Sequence, residues 1–153
     1  MKNNYLLPHK FKLIGLILLA PTLVLAAMFL FNDFEFEFLE LPVFSIANTP
    51  LFGDADLFVT LSNNITNELI AVLSIVSLLF IAFSKQKNED ELVNAIRLKS
   101  LVMATYINYF ILLFCVIFFY ELAFLWVMLL NMFTILIFFI VYFNLRMFQL
   151  NRK

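Results

Sequence analysis

SKQKNEDELVNAIRLKS, residues 84–100, is the most densely charged stretch of the chain, and apolar runs flank it on both sides. It sets Lys85, Lys87, Arg97 and Lys99 against Glu89, Asp90 and Glu91. A single charged side chain at the centre of a bilayer costs at least about 2.5–3.5 kcal/mol, so this stretch belongs in water. It reads as a loop leading into a helix, and the side of the membrane it occupies sets the side of every other segment.

Downstream, Asn88 followed by Glu91 resembles a capping box, which places a helix start there. The helix continues into an apolar run, Leu101 to Tyr120. At 1.5 Å per residue its roughly 32 residues would reach about 48 Å, against about 30 Å of hydrocarbon. A stub of about three turns is therefore expected to project into water. On that stub Leu92, Ile96 and Met103 trend to one face, and Asp90, Asn94 and Arg97 share another. The plain reading is a solvated helix end with local ion pairs. The sharper one is a docking surface for a cytoplasmic protein, carried by Glu89, Asp90 and Arg97.

Tyr120-Glu121-Leu122-Ala123 is a tight hairpin tip, and the next apolar run is Phe124 to Phe143, followed by Arg146, Arg152 and Lys153. Two runs joined this closely must be antiparallel neighbours. Folding them about Glu121 and Leu122 sets Asn108 opposite about Ile135, with Asn131 about one turn away. Asn108, Asn131 and Thr134 are thus a candidate intramembrane polar cluster. Such bonds contribute about 0.6 kcal/mol on average, the scale of structural glue.

Upstream, the run Leu69 to Phe83 extends to Ile65, and Ala71, Ser74 and Ser77 form a small-residue ridge suited to close helix packing. Before it lies the longest polar connection, residues 32–67, with six acids and no Lys or Arg. Its opening, DFEFEF, alternates strictly, which predicts a strand with Phe34, Phe36 and Phe38 on one side and Glu35 and Glu37 on the other. LFVTL, Leu57 to Leu61, is expected to pair with it, with Pro42, Pro50 and Gly53 supplying turns. The Phe side of such a hairpin is expected to rest on the bundle or the lipid interface, since two strands alone are marginal in water. Asn64-Ile65-Thr66 matches a glycosylation sequon, but the plainer expectation is that Ser62, Asn63 and Asn64 cap the next helix. The first run, Leu13 to Phe31, carries Pro21 midway and follows a basic tail with Lys2, Lys10 and Lys12. A cleaved signal peptide ending near Ala26 is the competing reading. The run exceeds the usual length of a signal core, which favours a span.

The composition agrees. Of 153 residues, 64% are hydrophobic and only 14% charged, whereas soluble domains are near half apolar and about a quarter charged. Lipid must be the solvent for much of this surface. All ten Lys and Arg fall in the N-terminal tail, the 84–100 stretch and the C-terminal tail. By the positive-inside rule those three segments are cytoplasmic, and the acidic loop faces the other side. Tyr106, Tyr109, Tyr120, Trp126 and Tyr142 are candidates for the interfacial belt.

Little catalytic chemistry is on offer. No ionisable acid or base lies within a span core, which argues against coupled transport. The net charge of −1 gives no bulk attraction to nucleic acid. Cys115 is the only cysteine and His9 the only histidine, so no Cys/His zinc cluster can form. Two glycines are too few for a phosphate-cradling loop. Glu89-Asp90-Glu91 point in different directions on a helix, so capping and dipole matching explain them better than a cation. Neither a nucleophile elbow nor HExxH is present. No catalytic, cofactor-binding or metal residue is expected, and no enzyme.

The strings NNITNE (Asn63 to Glu68), FSKQKNEDEL, IRLKSLVMATYINY and NMFTILIFFIVYFN resemble an uncharacterised family of small bacterial four-span inner-membrane proteins, and the likeness covers nearly the whole chain. It implies a bacterial inner-membrane location. Because members of that family are often encoded near a small helix-turn-helix regulator, it also implies such a regulator as a partner. It brings no activity and no site residues.

The expected fold is an all-α membrane protein, one transmembrane domain over residues 1–153. Its four helices are expected at about 13–31, 65–83, 101–120 and 124–143, with a β-hairpin-like extracytoplasmic loop at about 34–61 and a charged cytoplasmic segment at 84–100. The expected function is non-enzymatic: an accessory or partner-binding subunit, or an anchor for a cytoplasmic regulator. Its expected partners are the bilayer, a cytoplasmic protein or larger membrane complex, and further copies of itself. The rival class is an oligomeric channel or small-solute permease lined by Ser74, Ser77, Asn108 and Asn131. An enzyme acting on lipid is a weaker third.

Overall fold

In hydrocarbon every amide must find its partner inside its own segment, so each long apolar run winds into a helix. The computed structural model describes residues 6–32, 35–48, 56–87 and 89–152. In chain order these form α1 (Lys10–Asn32), a 3-10 turn (Glu37–Leu39), β1 (Glu40–Asn48), β2 (Asp56–Asn64), α2 (Thr66–Phe83), α3 (Glu91–Phe118) and α4 (Glu121–Asn151). All four helices are long and apolar enough to cross a membrane. The turn roles expected of Pro50 and Gly53, the Asp33-Phe34 opening of the alternation and the cap expected of Asn88 fall outside the described residues.

The described chain clusters into two compact units, one running up to Ala20 and resuming at Ser74, the other spanning Pro21–Leu73. The first is built on an α3–α4 hairpin. Contacts between the two helices step in opposite senses, Arg97 with Phe143 and Asn108 with Thr134, so the pair is antiparallel. Only Phe119 and Tyr120 separate them, and Glu121 takes φ 54° to make the reversal. The core cluster is Ala82, Val93, Ala104, Phe139 and Phe143. Ala104 is completely buried, and its small side chain lets the α4 rings close in. Phe139 stacks between Phe83 and Phe143 at centroid distances of 5.7 and 5.9 Å. The outer surface is the reverse of a soluble protein's: Phe110 is 75% exposed and Leu113 64%. A contiguous apolar exterior of this kind calls for a non-aqueous surrounding.

Two boundaries depart from expectation. Helix α3 starts at Glu91, not Asn88, because the Asp90 side chain accepts from the Val93 N–H and stops the helix there. Helix α4 runs eight residues past Phe143, because nothing between Asn144 and Asn151 breaks a helix.

In the second unit β1 and β2 pair antiparallel, from Glu40 opposite Asn64 to Asn48 opposite Asp56. LFVTL lies in β2, but its partner is not DFEFEF. The start of α2 takes that segment instead. The Phe36 N–H donates to Thr66 Oγ1 at 3.1 Å, and the Phe36 carbonyl accepts from Asn64 Nδ2 at 3.0 Å. With both backbone groups of Phe36 satisfied, Glu37–Leu39 tightens into the 3-10 turn and the strand begins at Glu40. Pro42 sits within β1 opposite Ser62, a site open to proline because both strands of a two-stranded sheet are edges. The ladder skips Ile46 and Phe58, where Phe58 takes φ 56°. Asn64 Oδ1 accepts from the Thr66 N–H at 3.0 Å and so caps α2.

Candidate functional site

The last carbonyls of a helix have no partner within it, and α2 has no basic residue in its final turn to meet them. Other segments supply the donors. The Ser84 hydroxyl bonds the Phe80 carbonyl. The Leu7 N–H donates to the Phe83 carbonyl at 3.0 Å, and Leu7 in return accepts from the Lys85 N–H at 2.9 Å. His9 Nδ1–H donates to the Lys85 carbonyl at 2.9 Å. Arg97 completes the set from α3. Its Nη1 donates to the Ala82 carbonyl at 3.2 Å and to the Ser84 carbonyl at 3.4 Å.

Arg97 is the hub of the charged stretch. It is 91% buried, by its 9% relative exposure, and its Nη2 meets both Glu89 oxygens at 3.0 and 3.1 Å. The guanidinium also lies over the Phe143 ring, 4.9 Å from the centroid. One side chain thus ties together the end of α2, the loop, α3 and α4. A cation beside the carbonyl end of α2 is also where the helix dipole favours it. Glu89 is held in turn by the Gln86 N–H at 2.8 Å. The Arg97 Nε–H is the one buried side-chain polar atom without a hydrogen-bond partner among the described residues.

The structure therefore brings Glu89 and Arg97 together, with Asp90 next in the chain as the α3 cap. Arg97 points inward with Val93, Ser100, Ala104 and Asn108, the buried stripe of α3. Asp90, Glu91, Leu92 and Lys99 stay exposed. Asn108, Asn131 and Thr134 also come together. The Thr134 hydroxyl donates to Asn108 Oδ1 and lies 3.3 Å from Asn131 Oδ1. Ser74 and Ser77 are buried. Ser77 lies against α1, where a Cβ on Gly15 would come within 2.8 Å of the Ser77 carbonyl. At Ser77, therefore, the ridge meets the backbone of a neighbouring helix.

Among the described residues, two grooves on this unit bear on the site. One, of about 280 Å³, is lined by Arg97 and Asn94 with Leu6, Phe83, Leu98, Leu101 and Phe139. The other, of about 260 Å³, is lined by Ile96, Lys99, Arg146, Gln149 and Leu150. The second was not foreseen from the sequence, although Arg146 and Gln149 at helical spacing beyond an apolar run were its signal. Among the described residues no group of three or more His, Cys, Asp or Glu could hold a metal ion.

No family model, curated protein or solved structure matches the chain. Its class therefore rests on its own geometry. Four helices long and apolar enough to span, joined to a small two-stranded sheet, are compatible with a multi-pass membrane protein.

Proposed function

We propose that the chain is a non-enzymatic multi-pass protein of the bacterial inner membrane, with both termini in the cytoplasm, and that it holds a cytoplasmic partner on its α3–α4 projection. One observation carries this reading: α3 and α4 are both too long for the bilayer, and both excesses fall at the same end. With 28 and 31 residues, they measure about 42 and 46 Å, against about 30 Å of hydrocarbon. The two-residue tip puts the surplus beside the basic segments. The groove between the projecting ends offers Lys99 and Arg146 above Ile96 and Leu150, which suits an amphipathic segment with acidic residues. A small helix-turn-helix regulator is the partner nominated by the resemblance of NNITNE and FSKQKNEDEL.

The test is affinity purification of the full chain in mild detergent, with identification of what stays bound. The double variant Lys99→Glu with Arg146→Glu should lose the partner yet remain in the membrane after alkaline carbonate washing. Unchanged partner recovery in that variant overturns the reading. So does solute flux in liposomes holding this protein alone, since an anchor conducts nothing.

A further inference from the structure

We propose that the groove beside Arg97 is a binding site for an anionic phospholipid of the cytoplasmic leaflet. The inference rests on the reading that the chain spans the membrane, and goes beyond it by naming a ligand. Depth is the first observation. From Phe118 at the tip end of α3 back to Arg97 is 21 residues, about 32 Å of helix. With the tip at one face of about 30 Å of hydrocarbon, Arg97 stands at the level of the phosphates of the opposite leaflet. Leu98 and Leu101 follow it toward the hydrocarbon, and Phe83 and Phe139 form the facing wall. The groove thus runs from a buried cation at headgroup depth into an apolar slot of acyl-chain character.

The second observation is the unused donor. Arg97 spends Nη1 on carbonyls and Nη2 on Glu89, yet its Nε–H, fully buried, has no partner. A buried donor left unpaired costs about 1–3 kcal/mol, and a small turn of the Arg97 side chain, which lines the groove, would bring it to a phosphodiester oxygen there. Charge decides the lipid class. Arg97 is offset by Glu89, but Lys12 lies within reach of the Arg97 charge and bonds Gln86 Oε1 at 3.4 Å. Lys12 thus adds positive charge beside the Arg97–Glu89 pair. A zwitterionic lipid would bring its own ammonium to it, whereas an anionic one brings none.

The experiment is native mass spectrometry of the full chain, delipidated in detergent and offered dioleoylphosphatidylglycerol, dioleoylphosphatidylcholine or inorganic phosphate. The glycerol lipid should be retained about tenfold more than the choline lipid, because the site's cations repel the choline ammonium. Leu101→Trp, which fills the slot without touching the Arg97–Glu89 pair, should abolish that retention while leaving the unfolding midpoint unchanged. Arg97→Lys keeps the charge but removes the Nε donor, and should weaken retention of both lipids while keeping their ratio. Equal retention of the two lipids overturns the proposal, as does full retention by Leu101→Trp. Inorganic phosphate bound as tightly as the lipid also overturns it, because the acyl slot would then contribute nothing. Release of the protein from membranes by alkaline carbonate would instead sink the spanning reading itself. Carbonate-resistant protein without lipid preference would sink this inference alone.

Discussion

Replacing Arg97 with methionine removes one charge and four hydrogen bonds while keeping an apolar stem against Phe143. The loss can be worked from the contacts. The Ala82 and Ser84 carbonyls at 3.2 and 3.4 Å lose their donor, at about 1 kcal/mol for the shorter bond and less for the longer. Glu89 loses a two-oxygen partner while only 16% exposed. Stranding one member of a fully buried pair costs about 3–5 kcal/mol. Glu89 keeps the Gln86 N–H at 2.8 Å and some water, so about 1–2 kcal/mol is the fair share. Loss of the cation–π contact with Phe143 and relief of the unpaired Nε donor act in opposite directions, so the sum stays at about 3 kcal/mol. The assay is equilibrium unfolding of the purified protein by SDS titration in mixed micelles, followed by helical ellipticity. Glu89→Gln alone should cost about 1–2 kcal/mol, and the double variant should cost clearly less than the sum of the singles. Because the pair is shielded, raising salt should change little. An Arg97→Met protein within about 0.5 kcal/mol of the parent, or strictly additive singles, would refute the hub role.

Gly15→Leu should destabilise by about 1–3 kcal/mol in the same titration, because even its Cβ would come within 2.8 Å of the Ser77 carbonyl and 2.9 Å of Ile81 Cγ1. Parental stability there would mean α1 does not pack on α2. Thr134→Val keeps the shape but removes the hydroxyl that bonds Asn108; a cost of about 0.6–1.7 kcal/mol is expected, and no change would remove the cluster from the fold's energetics. Asp90→Ala should cost about 1 kcal/mol as a lost cap, while Asp90→Asn, which keeps the acceptor for Val93 N–H, should cost little. Equal losses for both would show that charge, not capping, is what Asp90 supplies.

The sequence by itself determined the helices and their order. Runs such as Leu101 to Tyr120 are too apolar for water and too long for a buried soluble helix. Their polar interruptions also marked where the chain must surface. Even the meeting of Asn108, Asn131 and Thr134 was legible, because a hairpin tip this short leaves the two flanking helices only one register. The DFEFEF alternation misled because periodicity records what a backbone can do, not which partner reaches it first. Asn64 and Thr66 reached Phe36 first. Charge pattern likewise grouped Arg97 with Asp90 as a surface feature. Tertiary structure alone decided that Arg97 turns inward, because the carbonyls that hold it belong to Ala82 and Ser84, on the far side of the loop. Orphan groups at a helix end are invisible in a sequence until the fold brings their partners close, and the hold of Leu7, His9 and Arg97 on the end of α2 depends on contacts of that kind.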